Sequence, residues 1–577
     1  MKHTKSIRSW IFTFLRGKNI FVIHTAYTRL CVGCSIISIL LLCNIFTGFA
    51  ELKTYSSPGD LANVPNLKQS SDYTITVNGK TSFVYETENT WDGKVEGKFV
   101  PGSIRSQKKA AFTNFDFKNE TVTVQVTCNF TVNSVNIRPK SDSVAFTRNG
   151  NVISFTISKS KYLSVEVNDR LKPLFIFADS IETPPTVNIT YGPGIHVIGP
   201  KFVVPGNQKV YIAGGAVVVG SFYCTGNNFK IYGRGLLNGG AVSSAEWQLD
   251  KTHSPLSGLQ NGASGYEIHG ITMVNAPGWH INAFGGNQNF SNVKCIGWAG
   301  MTDGPHLNGN GLLKHCFIFN NDDCLISNIG SNNTFIDNVV WKGPFGRCMV
   351  SLANNDQSNV VWDDVDVIGN EAGLNVFHGK MMAIIETTAG LKQNFTFKNI
   401  RIEAQETNKA GLICINVEGT AVVKNINFEN ISTELLRTTA ANTEGTIKQF
   451  NGGIVDGVHF KFLRMNGVLV DSLQEAHIQN VGAVPHVDFD NTVKITPPKD
   501  TIPEPSVFKI LANKSTNTID IKYGNKVITK TIIYNSYGAM MNEYNTSQIN
   551  ITNFSTGIYI ARVEIEGQMF VGKFLRQ

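Results

Sequence analysis

Between Tyr191 and about residue 490 the chain returns again and again to one short phrase: a run of β-branched or aromatic residues closed by Gly or Asn. It recurs at Tyr266–Met273, Val293–Ile296, His315–Phe319, Phe335–Trp341, Val360–Val367, Phe395–Ile402, Val423–Phe428 and Val455–Phe460. The interval is roughly twenty residues, each unit holding one short strand and a turn. Such a unit cannot bury its apolar side alone, so neighbouring units must stack and share a continuous core. The Leu-x-x-Leu-x-Leu pattern of leucine-rich repeats is absent, and no amphipathic stretch of helical length intervenes. These features predict a parallel β-helix over 191–493, with inward residues stacked as a core and one outer face open as a groove.

The flanks read differently. Residues 51–190 hold strictly alternating runs, among them Tyr73–Val77 before Asn78-Gly79, Thr121–Val126, Val152–Ile157 and Tyr162–Val167 before Asn168-Asp169. That pattern predicts an antiparallel β-sandwich. Leu174–Ala178 is apolar throughout and predicts a buried strand. Nothing in this domain suggests chemistry, and an accessory role is expected. Residues 494–505 are rich in Pro and read as a semi-rigid linker, and 506–577 alternate as a small β domain. The expectation is an all-β chain: a right-handed parallel β-helix preceded by an antiparallel β-sandwich, with a small C-terminal β domain.

Charge and cysteine narrow the setting. The formal charge is +7, but residues 1–50 contain six of the basic residues and no acid, so the remainder is close to neutral. A near-neutral chain lacks the footprint of a nucleic-acid binder. The basic segment leads to an apolar run, Ser35–Phe46, too short to span a bilayer comfortably, then to Gly48-Phe49-Ala50. This reads as a signal peptide ending at Ala50, with an uncleaved anchor as the alternative. Seven cysteines follow it, with no C-x-x-C pair among them, so a zinc site is not expected; Cys295, Cys316 and Cys348 read as small apolar core residues. No cofactor is expected.

The chemistry concentrates between Met301 and Ser327. Asp303 lies in Thr302-Asp303-Gly304, and Asp322 and Asp323 follow at about the spacing of one coil, so the three carboxylates should meet on neighbouring coils about 4.8 Å apart. Adjacent strand residues face opposite ways, so both acids can reach one face only if the backbone bends there, which Asn320 and Asn321 tolerate. Crowded carboxyls cannot all ionise, and one keeps a proton. An acid beside a carboxylate is what glycoside hydrolysis requires. A calcium site or a solvated turn are the competing readings. Around the acids stand Trp279, His306, Trp341, Lys342 and Arg347 as candidate substrate contacts: aromatic faces for sugar rings, and cations that could hold the acids ionised or meet an anionic glycan.

The phrase Val210-Tyr-Ile-Ala-Gly-Gly-Ala216, with Thr302-Asp-Gly304 and Asn321-Asp-Asp323, resembles two related families, the polygalacturonases and the dextranase/isopullulanase family. With Val340-Trp-Lys342 the likeness is closer to the second. Gly346-Arg347-Cys348 stands where a polygalacturonase would place its Gly-His-Gly, and no Arg-Ile-Lys appears. His306 replaces the acid usual after Thr-Asp-Gly-Pro in dextranases. The resemblance implies an inverting endo-hydrolase in which Asp322 is the general acid and Asp303 and Asp323 hold and activate water. It favours a dextran-like α-glucan as substrate, with polygalacturonate or a sulfated galactan as the alternative and a non-catalytic glycan-binding β-helix as another; a lyase is less favoured. Ser555–Val563, Gly567 and Gly572-Lys-Phe574 resemble the C-terminal sorting domain of the type IX secretion pathway, which implies a secreted or cell-surface protein that partners the secretion machinery. A single chain is expected, since a solenoid satisfies its own stacking.

Overall fold

Inward-facing residues of successive units fall on one column: Ile268, Phe290, Leu313, Phe335, Trp362, Phe397, Phe428, Phe460 and Phe489 pair in parallel register, each with the next. From Phe335 onward the column is aromatic. Its rings lie nearly parallel, with centroids 5.3, 4.5, 5.0, 5.1 and 4.6 Å apart, close to the strand spacing that sets them there. This is a computed structural model, and it describes residues 50–492 except 96, 101–103, 259–262, 353, 372–379, 404–410 and 435–444, and residues 508–576 except 514–515, 524–527, 536–538 and 566–567. Apart from Ala50, the expected leader falls outside these residues, as does the Pro-rich linker.

The coils form a parallel β-helix whose strands run from Ile189–Tyr191 to Val487–Phe489. One long ladder carries two faces. A second, seven-stranded sheet from His306–Asn308 to Ile478–Val481 forms another. The turns are held by a second column. Asn310, Asn332, Asn359, Asn394 and Asn425 all take positive φ, a conformation Asn tolerates and branched residues do not. Their side-chain amides pass one to the next at 3.0, 3.1, 3.1 and 2.6 Å, so the closing Asn of each repeat has a structural cause. The period departs from the expected value. It is 22 residues from 268 to 290 but 35 from 362 to 397, because later coils carry longer connections while the core column stays in register. Seven cysteines are buried and unpaired among the described residues.

The N-terminal sandwich packs a seven-stranded sheet against a five-stranded one around Ile75, Val124, Phe115, Leu163 and Ile176. It is antiparallel except at one place: Lys109–Lys118 and Leu174–Ser180 run parallel. That departs from the expected all-antiparallel arrangement. These two central strands are covered on both sides, which explains the apolar run at Leu174–Ala178. Leu174, Ile176 and Ala178 enter the sandwich core, while Phe175 and Phe177 face the β-helix and pack with Phe317, Phe319 and Trp341.

Charge also bridges that contact. Asp179 accepts from Tyr162 Oη at 2.7 Å, Asn292 Nδ2 at 2.9 Å and Lys294 Nζ, while Arg234 Nε donates to Asp116 at 3.0 Å. Asp116, Asp179 and Tyr162 come from the sandwich, and Arg234, Asn292 and Lys294 from the coils. Farther along, Arg105 donates to Asn320 O at 2.7 Å, Arg170 to Ile368 O at 2.6 Å, Arg138 pairs with Glu403, and Lys140 pairs with Glu434 at 2.7 Å.

The chain divides into two units at Asn491/Thr492. The second pairs a three-stranded sheet (Phe508–Asn513, Thr518–Tyr523, Gln548–Asn550) with a four-stranded one (Ile528–Asn535, Met540–Tyr544, Gly557–Ile565, Gln568–Arg576) around Ile519, Ile533, Ala561 and Val563.

Candidate active site

Two glycines let three coils approach closely enough to bring the acids together. A Cβ on Gly304 would lie 2.0 Å from Cys324 O, and one on Gly346 would lie 2.1 Å from the backbone carbon of Asp322. Any side chain at either position would force the coils apart. Backbone hydrogen bonds then fix the register: Asp322 N donates to Thr302 O, Gly304 N to Asp323 O at 2.8 Å, and Cys324 N to Arg347 O at 3.0 Å. Thr302 ties the corner by donating from Oγ1 to Ala299 O and accepting from Asn321 N at 3.0 Å.

Between the strands Phe317–Asn320 and Leu325–Ile329 the backbone leaves strand geometry at 321–324. The bend is closed locally by Asp323 N donating to Asp322 Oδ1 at 2.9 Å. It frees Asp322 and Asp323 from the alternation that would have sent them to opposite faces. Behind it the sandwich takes part: Arg105 donates to Asn320 O, pairs with Glu371 at 3.1 Å, and lies 3.6 Å over the Phe319 ring.

The three carboxyls have different surroundings. Asp323 is 2% exposed, and both its oxygens accept from Arg347, Oδ1 from Nε at 2.8 Å and Oδ2 from Nη2 at 2.6 Å, with Arg347 N adding a third bond. Burial opposes its charge, but the Arg347 guanidinium more than offsets this and holds it below the usual carboxylate range. Asp322 is the most accessible of the three, at 7%. Burial, and then the nearby Asp303 and Asp323, push it well above that range. Asp303 is likewise raised, by burial first and the Asp323 charge second. Asp303 Oδ2 lies 2.8 Å from His306 Nε2. That is ion-pair distance, yet burial lowers His306 to about 4 as it raises Asp303, so burial disfavours charge on both partners of the contact. Asp303 Oδ1 has no hydrogen-bond partner among the described residues. The arrangement therefore holds one fixed anion, one reachable proton donor and one carboxyl with an open oxygen. Among the described residues no group of three His, Cys, Asp or Glu side chains is placed to hold a metal ion.

The expected substrate contacts divide. Trp279 is half-buried, with its ring centroid 5.1 Å from that of His306. Arg347 serves Asp323 as described. Trp341 is a correction: it is fully buried against Phe319 and Phe175 with Arg170 across its face, beneath the sandwich. Lys342 is a second: also fully buried, it donates to the carbonyls of Gly343 and Glu371, and burial lowers it to about 8. Asp323 offers a fixed charge, with both oxygens bound to Arg347, whereas Asp303 keeps one oxygen without a partner among the described residues. Lys251, which follows the helix Ser244–Leu249, escaped sequence reasoning. Its Nζ lies 4.8 Å from the Trp279 ring centroid, and its charge bears on Asp303. Phe284 adds a half-buried ring 5.9 Å from Trp279.

No family model matches the chain. Among curated proteins, "Probable exopolygalacturonase B" of Neosartorya fischeri is 27% identical over 250 residues, 38% of this chain and 54% of that protein. The protein of the same description from Aspergillus oryzae is 27% identical over 245 residues. "Probable rhamnogalacturonase E" of Aspergillus niger is 28% identical over 145 residues, 24% of this chain and 30% of that protein. The chain thus spans about half the length of the exopolygalacturonases it matches. A solved polygalacturonase from Erwinia carotovora ssp. carotovora is 11% identical, with a TM-score of 0.27 over 52% of this chain and 87% of that one. The chain is thus distantly similar in sequence to proteins described as exopolygalacturonases and a rhamnogalacturonase.

Proposed function

We propose that the protein is an exported glycoside hydrolase acting on a galacturonate-containing polysaccharide, with Asp322 as general acid. The observation that carries the reading is the unequal state of three adjoining carboxyls. Asp323 is ionised by Arg347, while burial and its neighbours keep Asp322 protonated and leave it reachable. Asp322 would protonate the leaving oxygen, and Asp303 would hold the attacking water on its open Oδ1 and take its proton there, while the proton on Oδ2 passes to His306 Nε2 at 2.8 Å. The curated relatives are named for galacturonan substrates, so the dextran-like α-glucan favoured by the sequence resemblance gives way to the anionic alternative. The C-terminal unit, read as a sorting domain, belongs to the same proposal. The test is reducing-sugar release from polygalacturonate, rhamnogalacturonan, dextran and pullulan. Cleavage of a galacturonan is expected, and cleavage of dextran or pullulan alone would overturn the substrate.

The pH profile checks the division of roles. With Asp322 raised, the alkaline limb of kcat/KM should lie above the ordinary carboxylate range. With Asp323 lowered, the acid limb should lie below it. Arg347→Lys keeps a charge but loses the planar fork. Asp323 then binds its proton more readily, and the acid limb should move to higher pH. An acid limb that stays in place would remove Asp323 as the ionised partner.

A further inference from the structure

We propose that Lys251, lying across the indoles of Trp247 and Trp279, forms a subsite for the carboxylate of a uronic acid residue bound beside Asp303. The inference rests on the hydrolase reading above and names what that site recognises. Lys251 Nζ sits 4.8 Å from the Trp279 ring centroid and 5.4 Å from that of Trp247. Trp279 in turn lies 5.1 Å from His306, whose Nε2 meets Asp303. One aromatic ring and one imidazole therefore separate the ammonium from a reacting carboxyl.

The other cations near the acids are occupied. Arg347 grips Asp323, Lys342 is fully buried against two carbonyls, and Arg105 is held by Asn320 and Glu371. Lys251 alone of these is only half-buried, and it pairs with no carboxylate among the described residues. Its backbone is nonetheless fixed: Lys251 O accepts from Asn282 Nδ2 at 2.9 Å and from Ser254 Oγ at 3.2 Å. An anchored, part-desolvated ammonium beside the half-buried Trp279 ring suits a sugar ring that carries an anion. The ring meets the indole and the carboxylate meets the ammonium in a charge-assisted bond.

The experiment compares galacturonate oligosaccharides with their methyl esters as substrates of the wild type, Lys251→Met and Lys251→Arg. Lys251→Met should lower kcat/KM on the acid by about 10–100-fold, mostly through KM, since one charged hydrogen bond is lost. The preference for acid over ester should shrink by the same factor, and Lys251→Arg should restore part of it. Equal losses on acid and ester would overturn the subsite and leave Lys251 as a residue that tunes Asp303 or packs the indoles. An unchanged preference in both variants would also overturn it, while the hydrolase reading stood. A wild type inactive on acid and ester alike would refute the hydrolase reading and the subsite together.

Discussion

Replacing Asp322 with asparagine is expected to lower kcat by about 10²–10⁴-fold while leaving the protein at least as stable at pH 8. The amide keeps the shape of the side chain and can still accept from Asp323 N, as Oδ1 does at 2.9 Å, but it has no acidic proton for a leaving oxygen. The stability half follows from linkage. Burial and two neighbouring carboxyls raise the Asp322 pKa in the folded state, so the native state binds this proton more tightly than the unfolded chain does. Stability is then lost as pH rises through the folded pKa. An uncharged asparagine removes that loss. Activity measurements paired with urea unfolding at pH 8 check both halves. Activity within tenfold of wild type would remove Asp322 from the acid role, and early unfolding would make the residue structural.

The second large effect lies away from the site. Asp179→Asn should cost about 3–5 kcal/mol of unfolding free energy at pH 7, because it strips the counter-ion from a fully buried Lys294. Burial works against the Asp179 charge, but Lys294 and Arg234 outweigh it and bring its pKa from 3.8 to about 2. Its contribution is therefore complete above the ordinary Asp range and fades as pH falls toward 2. The gap between wild type and variant should be widest near neutrality and narrower at pH 3. Asp116 runs the other way: burial raises it to about 6, so its ionisation costs stability as pH rises through that value. A gap below about 1 kcal/mol at pH 7 would mean that Lys294 simply gives up its proton, as its burial-lowered pKa already inclines it to do.

The β-helix was legible because its cause is periodic: each coil must put an apolar residue on the shared column and a turn-former at the corner, and both recur visibly from Phe335 to Phe460. The acids were legible because Asp303, Asp322 and Asp323 sit one coil apart at a place where two glycines relax the packing. Lys342 misled because its ammonium turns to the carbonyls of Gly343 and Glu371 beside the buried Cys324 and Cys348, and Trp341 because the outer surface of a coil is groove or interface according to what covers it. Here the cover is Phe175 and Phe177, more than a hundred and sixty residues away in sequence. Lys251 was hidden for a related reason. It follows the helix Ser244–Leu249, an insertion between the coils of Ile231 and Ile268 that obeys no repeat. Arg105 reaches Asn320 across 215 residues, so no local pattern could reveal that the accessory domain braces the acid-bearing bend.

A stack of coils that touch only their neighbours can come apart one coil at a time from either end. The sandwich changes that for most of this stack. Its residues grip the coils at Arg234, Lys294, Asn320, Ile368, Glu403 and Glu434, so it lies along them as a splint lies along a limb. A splinted coil cannot fray alone, since its release must also break a bond to a body held at five other places. The splint runs past the acids in both directions, which keeps Asp303, Asp322 and Asp323 clear of any fraying end. Among the described residues, the turns beyond Glu434, 445–489, carry none of these six grips and retain the piecemeal opening of a solenoid.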